Sequence, residues 1–241
     1  MAKSKLWVVG DSWSYGWSGT DRNGTPTAFT HNMCTVLSRK LLMTVHNHSR
    51  PGASIGQITN LFLTHVLHNI APGDVVFICA PPDSRFHTVD HTGWVNTALA
   101  CQDNGAEYLL SLIKHNDNST TVFKWHFAMF CQLMYDAAVS KGAQCYVQHN
   151  YGALPTEFPW LREDIFLDTE TSMWQWLGLP ANLTFLHDDD GPSAKDLDRE
   201  FAKKQLLTDR NGNLDLHPSQ ANQLYIGERL ADLIHQRRNT L

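Results

Sequence analysis

The chain has 241 residues, of which 42% are hydrophobic and 18% charged, enough apolar material for a packed α/β core and too little charge for a disordered chain. A formal net charge of −5 gives no electrostatic reason to expect nucleic acid as a partner. No apolar run approaches the roughly 20 residues that span a bilayer, so no membrane association is expected.

The first residues carry two lysines but only four apolar residues before Gly10-Asp11, which does not read as a secretory signal, and a cytoplasmic protein is expected. Beyond them, short β-like runs alternate with helix-period segments, the pattern of a parallel sheet covered by helices. Strands are expected at 6–9, 43–47, 74–80 and 144–149, with a weaker fifth at 183–186. A helix is expected around 28–42. A second covers 54–70, where Ile55, Ile58, Leu61, Phe62, Val66 and Ile70 share a stripe. A third covers 120–141 and is stopped by Gly142. The last covers 218–236, with Leu224, Leu230, Ala231 and Ile234 facing inward and Pro218 in its first turn, where no N–H is needed.

Segments 84–104 and 150–215 read as elaborations, the second with short helices near 171–177 and 194–206. No repeat or linker interrupts the chain, which is expected to form a single domain over 1–241. Trp160, Trp174 and Trp176 either line a substrate cleft or pack the long excursion down, the packing role being favoured. The five cysteines, Cys34, Cys79, Cys101, Cys131 and Cys145, form no CxxC pair and read as buried reduced thiols.

Chemistry concentrates in two places. Gly10-Asp11-Ser12-Trp13-Ser14-Tyr15-Gly16 directly follows the first apolar run, leaving a serine at the carboxyl edge of a sheet, where open α/β sheets bind ligands. Far along the chain, Asp215-Leu216-His217-Pro218-Ser219 sets an acid and an imidazole two residues apart. An extended Asp-x-His segment presents both side chains on one face. A serine, a histidine and a carboxylate are what acyl transfer needs, and together they point to a serine hydrolase.

Gly10-Asp11-Ser12 resembles the first block of the SGNH (GDSL-like) hydrolases, a family of esterases, lipases and carbohydrate deacetylases. Asn47-His48-Ser49-Arg50-Pro51-Gly52-Ala53-Ser54 is similar to the second block, and the segment from Asp215 to Ser219 to the last. The resemblance implies a three-layer α/β/α fold around a mostly parallel sheet of about five strands. It implies Ser12 as nucleophile, His217 as general base and Asp215 as its orienter. The backbone N–H groups of Ser12 and Gly52 become oxyanion donors, with glycine letting the backbone approach substrate. The implied reaction is cleavage of an ester, with a small acyl group such as acetyl on a carbohydrate as the favoured substrate and no cofactor. The chain also resembles short SGNH-like proteins of tailed bacteriophages, which adds association with a virion as a second location. A monomer and a small homo-oligomer fit equally.

The sequence departs from the family pattern twice. Where the family has Gly-x-Asn-Asp, this chain has Ala80-Pro81-Pro82-Asp83, and Pro82 supplies neither the side-chain donor nor an N–H. Arg85 is the candidate substitute cation; the alternative is a surface Arg85–Asp83 pair. The family's acid commonly stands three residues before histidine, a position held here by Leu214, and Asp209 is the reserve acid. Ser14 is the reserve nucleophile, although the α/β-hydrolase elbow Gly-x-Ser-x-Gly is a poorer match because position 14 is not glycine. Two other readings stay open: an inactive SGNH-like binding or structural protein, favoured by Pro82, and an acyltransferase using the same nucleophile.

The thirteen histidines raise the question of a metal. His87 and His91 have an i, i+4 spacing but sit in a loop-like segment. His65 and His68 read as a partly buried helix face. His187-Asp188-Asp189-Asp190 lacks a calcium-loop pattern and reads as a solvated turn. Gly52 and Gly56 lack the lysine of a phosphate loop. No metal is expected.

Overall fold

The computed structural model describes residues 4–81, 87–90, 93–96, 119–151, 158–179, 199–208 and 214–240. Strand β1 (Lys5–Gly10) leads into a one-turn helix, α1 (Ser12–Tyr15), and an antiparallel hairpin of β2 (Trp17–Thr20) and β3 (Pro26–Ala28). Helix α2 (Met33–Leu41) precedes β4 (Thr44–Asn47). Helix α3 (Ile55–Leu61) loosens into a π-turn at Phe62–Val66 before β5 (Val75–Ala80). A hairpin of β6 (His87–Asp90) and β7 (Gly93–Asn96) follows. The long α4 (Ser119–Ser140) then returns the chain to β8 (Gln144–His149). After it come α5 (Met173–Trp176), α6 (Arg199–Gln205), the antiparallel pair β9 (Leu206–Thr208) and β10 (Leu214–Pro218), and α7 (Gln220–Thr240).

The central sheet is parallel, in the order β4-β1-β5-β8. Strands β1, β5 and β8 are buried on both faces while the edge strand β4 is partly exposed, and β5 reads as an unbroken apolar run, Val75-Val76-Phe77-Ile78-Cys79-Ala80. Alternation along β1 separates two cores. Leu6 and Val8 join Phe77, Leu37, Leu230 and Ile234 on the face covered by α2 and α7. Trp7 and Val9 join Ile78, Ile58, Phe62 and Met134 on the face covered by α3 and α4. The α2–α7 contact is close: a Cβ at Gly227 would lie 2.8 Å from Val36 Cβ and 2.9 Å from Met33 Cα. Because β4 lies on one side of β1 and β5 on the other, the connections diverge at the carboxyl end of β1. That divergence opens a crevice in an α/β sheet.

Four strands form this sheet among the described residues; the expected strand at 183–186 lies outside them. Beyond β8 a single parallel bridge joins Val147 to Phe166. Other expectations need correction. The helix expected around 28–42 starts not near 28 but at Met33, because Asn32 accepts hydrogen bonds from the backbone N–H groups of Cys34 and Thr35. Pro218 is not in the first turn of the last helix: it ends β10, paired with Leu206. The buried stripe of α7 is Ile226, Leu230, Ala231 and Ile234, with Leu224 only half-buried. His65 and His68 are exposed rather than partly buried, and His65 stacks on His48 with ring centroids 5.7 Å apart. Trp174 and Trp176 are buried and take the packing role, whereas Trp160 is 43% exposed. Cys34, Cys79, Cys131 and Cys145 are buried free thiols, and burial pushes Cys34 up to about 12; Cys101 lies outside the described residues. No helix among those residues is long and apolar enough to cross a membrane.

Asp168 ties down the segment after β8. Its carboxylate accepts from Thr171 Oγ1 (2.6 Å), Thr171 N (2.9 Å), Glu170 N (3.0 Å) and Trp176 Nε1 (3.0 Å). Burial alone would raise its pKa, but these bonds hold it at about 2. A depressed carboxylate contributes stability that is complete above its unfolded value, near 3.9, and is lost as pH falls through the folded value. Asp168→Asn is expected to be less stable than the parent at pH 7 by about 1–3 kcal/mol. Urea titrations should show that difference closing as pH falls to about 2.

Candidate functional site

The site is built on the carboxyl end of β1. Gly10 can hold no side chain there, since a Cβ would lie 2.6 Å from Cys79 Cβ and 2.9 Å from the Cys79 carbonyl oxygen. Asp11 is fully buried and caps α1, its Oδ1 accepting from Trp13 N (3.0 Å) and Asn150 Nδ2 (2.8 Å). Ser12 therefore begins a helical turn whose geometry is set from beneath. Gly16 ends that turn at φ +81°, where a side chain would run into Asn32. The left-handed residue reverses the chain, and Trp17, at the start of β2, turns its ring beside His217.

The imidazole and carboxylate arrive from the other end of the chain. His217 Nε2 lies 2.7 Å from Ser12 Oγ, across 205 residues. His217 Nδ1 is hydrogen-bonded to Asp215 Oδ1, and Asp215 Oδ2 accepts from Trp17 Nε1 at 3.1 Å. The two-residue spacing works because β10 is extended, with a register shift against β9 between Asp215 and Pro218. The His217 and Asp215 side chains are 21% and 27% exposed, so the group is reachable from solvent. A hydroxyl so placed can pass its proton to the imidazole as it attacks an electrophile, and the carboxylate can stabilise the imidazolium that forms.

Gly52 stands in a turn hung from the end of β1: Arg50 N donates to the Gly10 carbonyl oxygen (3.0 Å) and Ala53 N to that of Arg50 (3.2 Å). Its φ of +76° calls for glycine, while a Cβ there would meet no protein atom within 4 Å. Backbone conformation, rather than crowding by the protein, is what the fold requires of this residue. Ser14 is buried, its hydroxyl engaged with Ser49 Oγ at 2.7 Å, which makes it a packing residue. Pro82, Asp83, Arg85, His91, Asp209 and the segment from His187 to Asp190 lie outside the described residues. His87 and Asp90 lie on β6 instead of the expected loop. Among the described residues no group of three or more His, Cys, Asp or Glu side chains could hold a metal ion.

No protein-family model matches this chain, and no curated protein does. Among solved structures it is similar to the protein YxiM from Bacillus subtilis, with 16% identity over 99% of this chain and a TM-score of 0.50. What that likeness shows is a shared fold, a parallel α/β sheet covered by helices on both faces. The chain spans 58% of the length of YxiM. Looser likenesses include a lipase from goat rumen metagenome, at 12% identity, 95% and 97% coverage of the two chains and a TM-score of 0.49. Another is the aryl esterase of M. smegmatis, at 15% identity, 97% and 99% coverage and a TM-score of 0.44.

Two residues of this site were not singled out from the sequence. One is Trp17. The other is Asn150, fully buried at the end of β8, which donates to Asp11 and accepts from Cys79 Sγ at 2.9 Å. Its backbone N donates to the Ala80 carbonyl oxygen and its own carbonyl accepts from Trp174 N, each at 2.9 Å. Asn150 thus joins the ends of β1, β5 and β8. The one signal in the sequence was a polar residue directly after a buried strand.

Proposed function

We propose that the protein is a serine esterase. Ser12 Oγ attacks the acyl carbonyl while His217 Nε2 takes its proton. The resulting imidazolium, held by Asp215, then protonates the departing alkoxide. Water repeats the sequence on the acyl-enzyme, releasing the acid and restoring Ser12. The backbone N–H groups of Ser12 and Gly52 serve the oxyanion, a donor of this kind being worth ~3 kcal/mol, and Arg85 is the candidate for further positive charge. The observation that carries the reading is the 2.7 Å contact between Ser12 Oγ and His217 Nε2, continued to Asp215. A small acyl group, acetyl above all, on a carbohydrate is the substrate class we favour. It rests on the SGNH resemblance and on the polar, Trp-bearing excursions, in which the exposed Trp160 is available to a ligand.

The purified protein should hydrolyse p-nitrophenyl acetate faster than the butyrate, and a fluorophosphonate should label it on the peptide containing Ser12. Ser12→Ala should lose both properties. Pro82, standing where the family has its asparagine, favours a second reading, a protein of the same fold that binds without cleaving. Absence of both hydrolysis and labelling would decide for that reading. Hydrolysis that survives Ser12→Ala would place the chemistry elsewhere.

A further inference from the structure

We infer that Trp17 is a positioning residue for the Asp215–His217 pair, an inference that rests on the esterase reading above. The indole N–H donates to Asp215 Oδ2 at 3.1 Å while Oδ1 of the same carboxylate engages His217 Nδ1. The two oxygens of one carboxylate are thus held by donors on separate elements, β2 and β10. This matters because rotation about the last bond of an aspartate is soft. An acid two residues before its histidine on an extended strand needs a second anchor to keep its plane directed at Nδ1. The ring itself lies beside the imidazole, with centroids 5.2 Å apart and planes inclined by 34°. There it limits imidazole rotation and sets a π-face near the imidazolium that forms when Ser12 is deprotonated.

Trp17 is itself held. It follows Gly16, whose left-handed conformation turns the chain back, and Phe29 N donates to the Gly16 carbonyl oxygen at 2.9 Å. Across the hairpin, Ser18 Oγ donates to Thr27 Oγ1 and Thr27 Oγ1 to the Gly19 carbonyl oxygen, both at 3.0 Å. The half-buried indole is therefore a fixed strut from β2 to the carboxylate.

The test compares Trp17→Phe, which keeps an aromatic ring but removes the N–H, with the parent and Ser12→Ala. In Trp17→Phe, kcat on p-nitrophenyl acetate should fall about tenfold, with KM unchanged within about twofold and the thermal unfolding midpoint preserved. Proton NMR supplies a readout that packing alone would not move. The far-downfield signal of the His217 Nδ1–H shared with Asp215 should be present in the parent and in Ser12→Ala. It should broaden or vanish in Trp17→Phe. A parental kcat or an unchanged N–H signal in Trp17→Phe, with Ser12→Ala inactive, would overturn the inference and leave the esterase reading standing. If Ser12→Ala keeps full activity, that reading fails instead, and the N–H signal in Trp17→Phe still decides whether Trp17 holds the pair.

Discussion

His217→Ala should lower kcat on p-nitrophenyl acetate by about a thousandfold or more, the range lost when a positioned general base is removed. The serine hydroxyl is a weak nucleophile until its proton has somewhere to go, and in this structure that place is His217 Nε2, 2.7 Å away. Asp215→Asn should be nearly as damaging. An asparagine amide can present its NH2 to Nδ1, which turns the imidazole to the tautomer that carries its proton on Nε2. That nitrogen then faces Ser12 as a donor and cannot accept, an effect on the order of 10⁴ in a serine protease. The double variant Ser12→Ala/His217→Ala should be no worse than either single one, because residues acting as a unit do not contribute additively. Steady-state kinetics on the parent and the four variants, Ser12→Ala included, checks all of this. An Asp215→Asn protein with most of its activity would transfer the orienting role to Asp209.

Gly10→Ala should destabilise the protein by about 3–5 kcal/mol, or leave it insoluble. The new methyl group would fall 2.1 Å from Ser14 Oγ, 2.6 Å from Cys79 Cβ and 2.9 Å from the Cys79 carbonyl oxygen. Ser14 could swing aside by giving up its bond to Ser49. Cys79 could not, because it lies beside Gly10 in the β1–β5 register of the buried sheet. Relief would require the two central strands to separate at the point from which Asp11 and Ser12 depart. Gly56→Ala is the control: the nearest atom to its added Cβ is 3.9 Å away, on a helix, so a small gain of about 0.5–1 kcal/mol is expected. Urea denaturation of both variants separates crowding at Gly10 from any general cost of replacing glycine.

The amino-acid sequence by itself determined the parallel sheet and the chemistry offered at its edge. Strands buried on both faces read as apolar runs, which is why β1 and β5 were legible within a residue; β8 was legible from its Cys145-Tyr146-Val147 centre, although Gln148 and His149 are buried polar residues. Gly142, at φ +78°, stops α4 where a left-handed residue was expected. Ser12, Asp215 and His217 could be singled out as candidates because few residue types can do acyl transfer, and the structure brings the three side chains into contact. Local patterns record burial and backbone preference, and they carry no information about which distant side chain meets which. The pairing of Asn150 with Asp11 across 139 residues follows from β1 and β8 both flanking β5, a strand order no short window contains. Trp17 reaches Asp215 across 198 residues only because Gly16 reverses the chain and β10 docks above α1. The same holds for the tryptophans after β8: composition could not distinguish the buried Trp174 and Trp176 from the exposed Trp160, since all three carry the same apolar surface. Tertiary packing made that choice, because burial depends on which surface of the sheet and helices each ring finally meets.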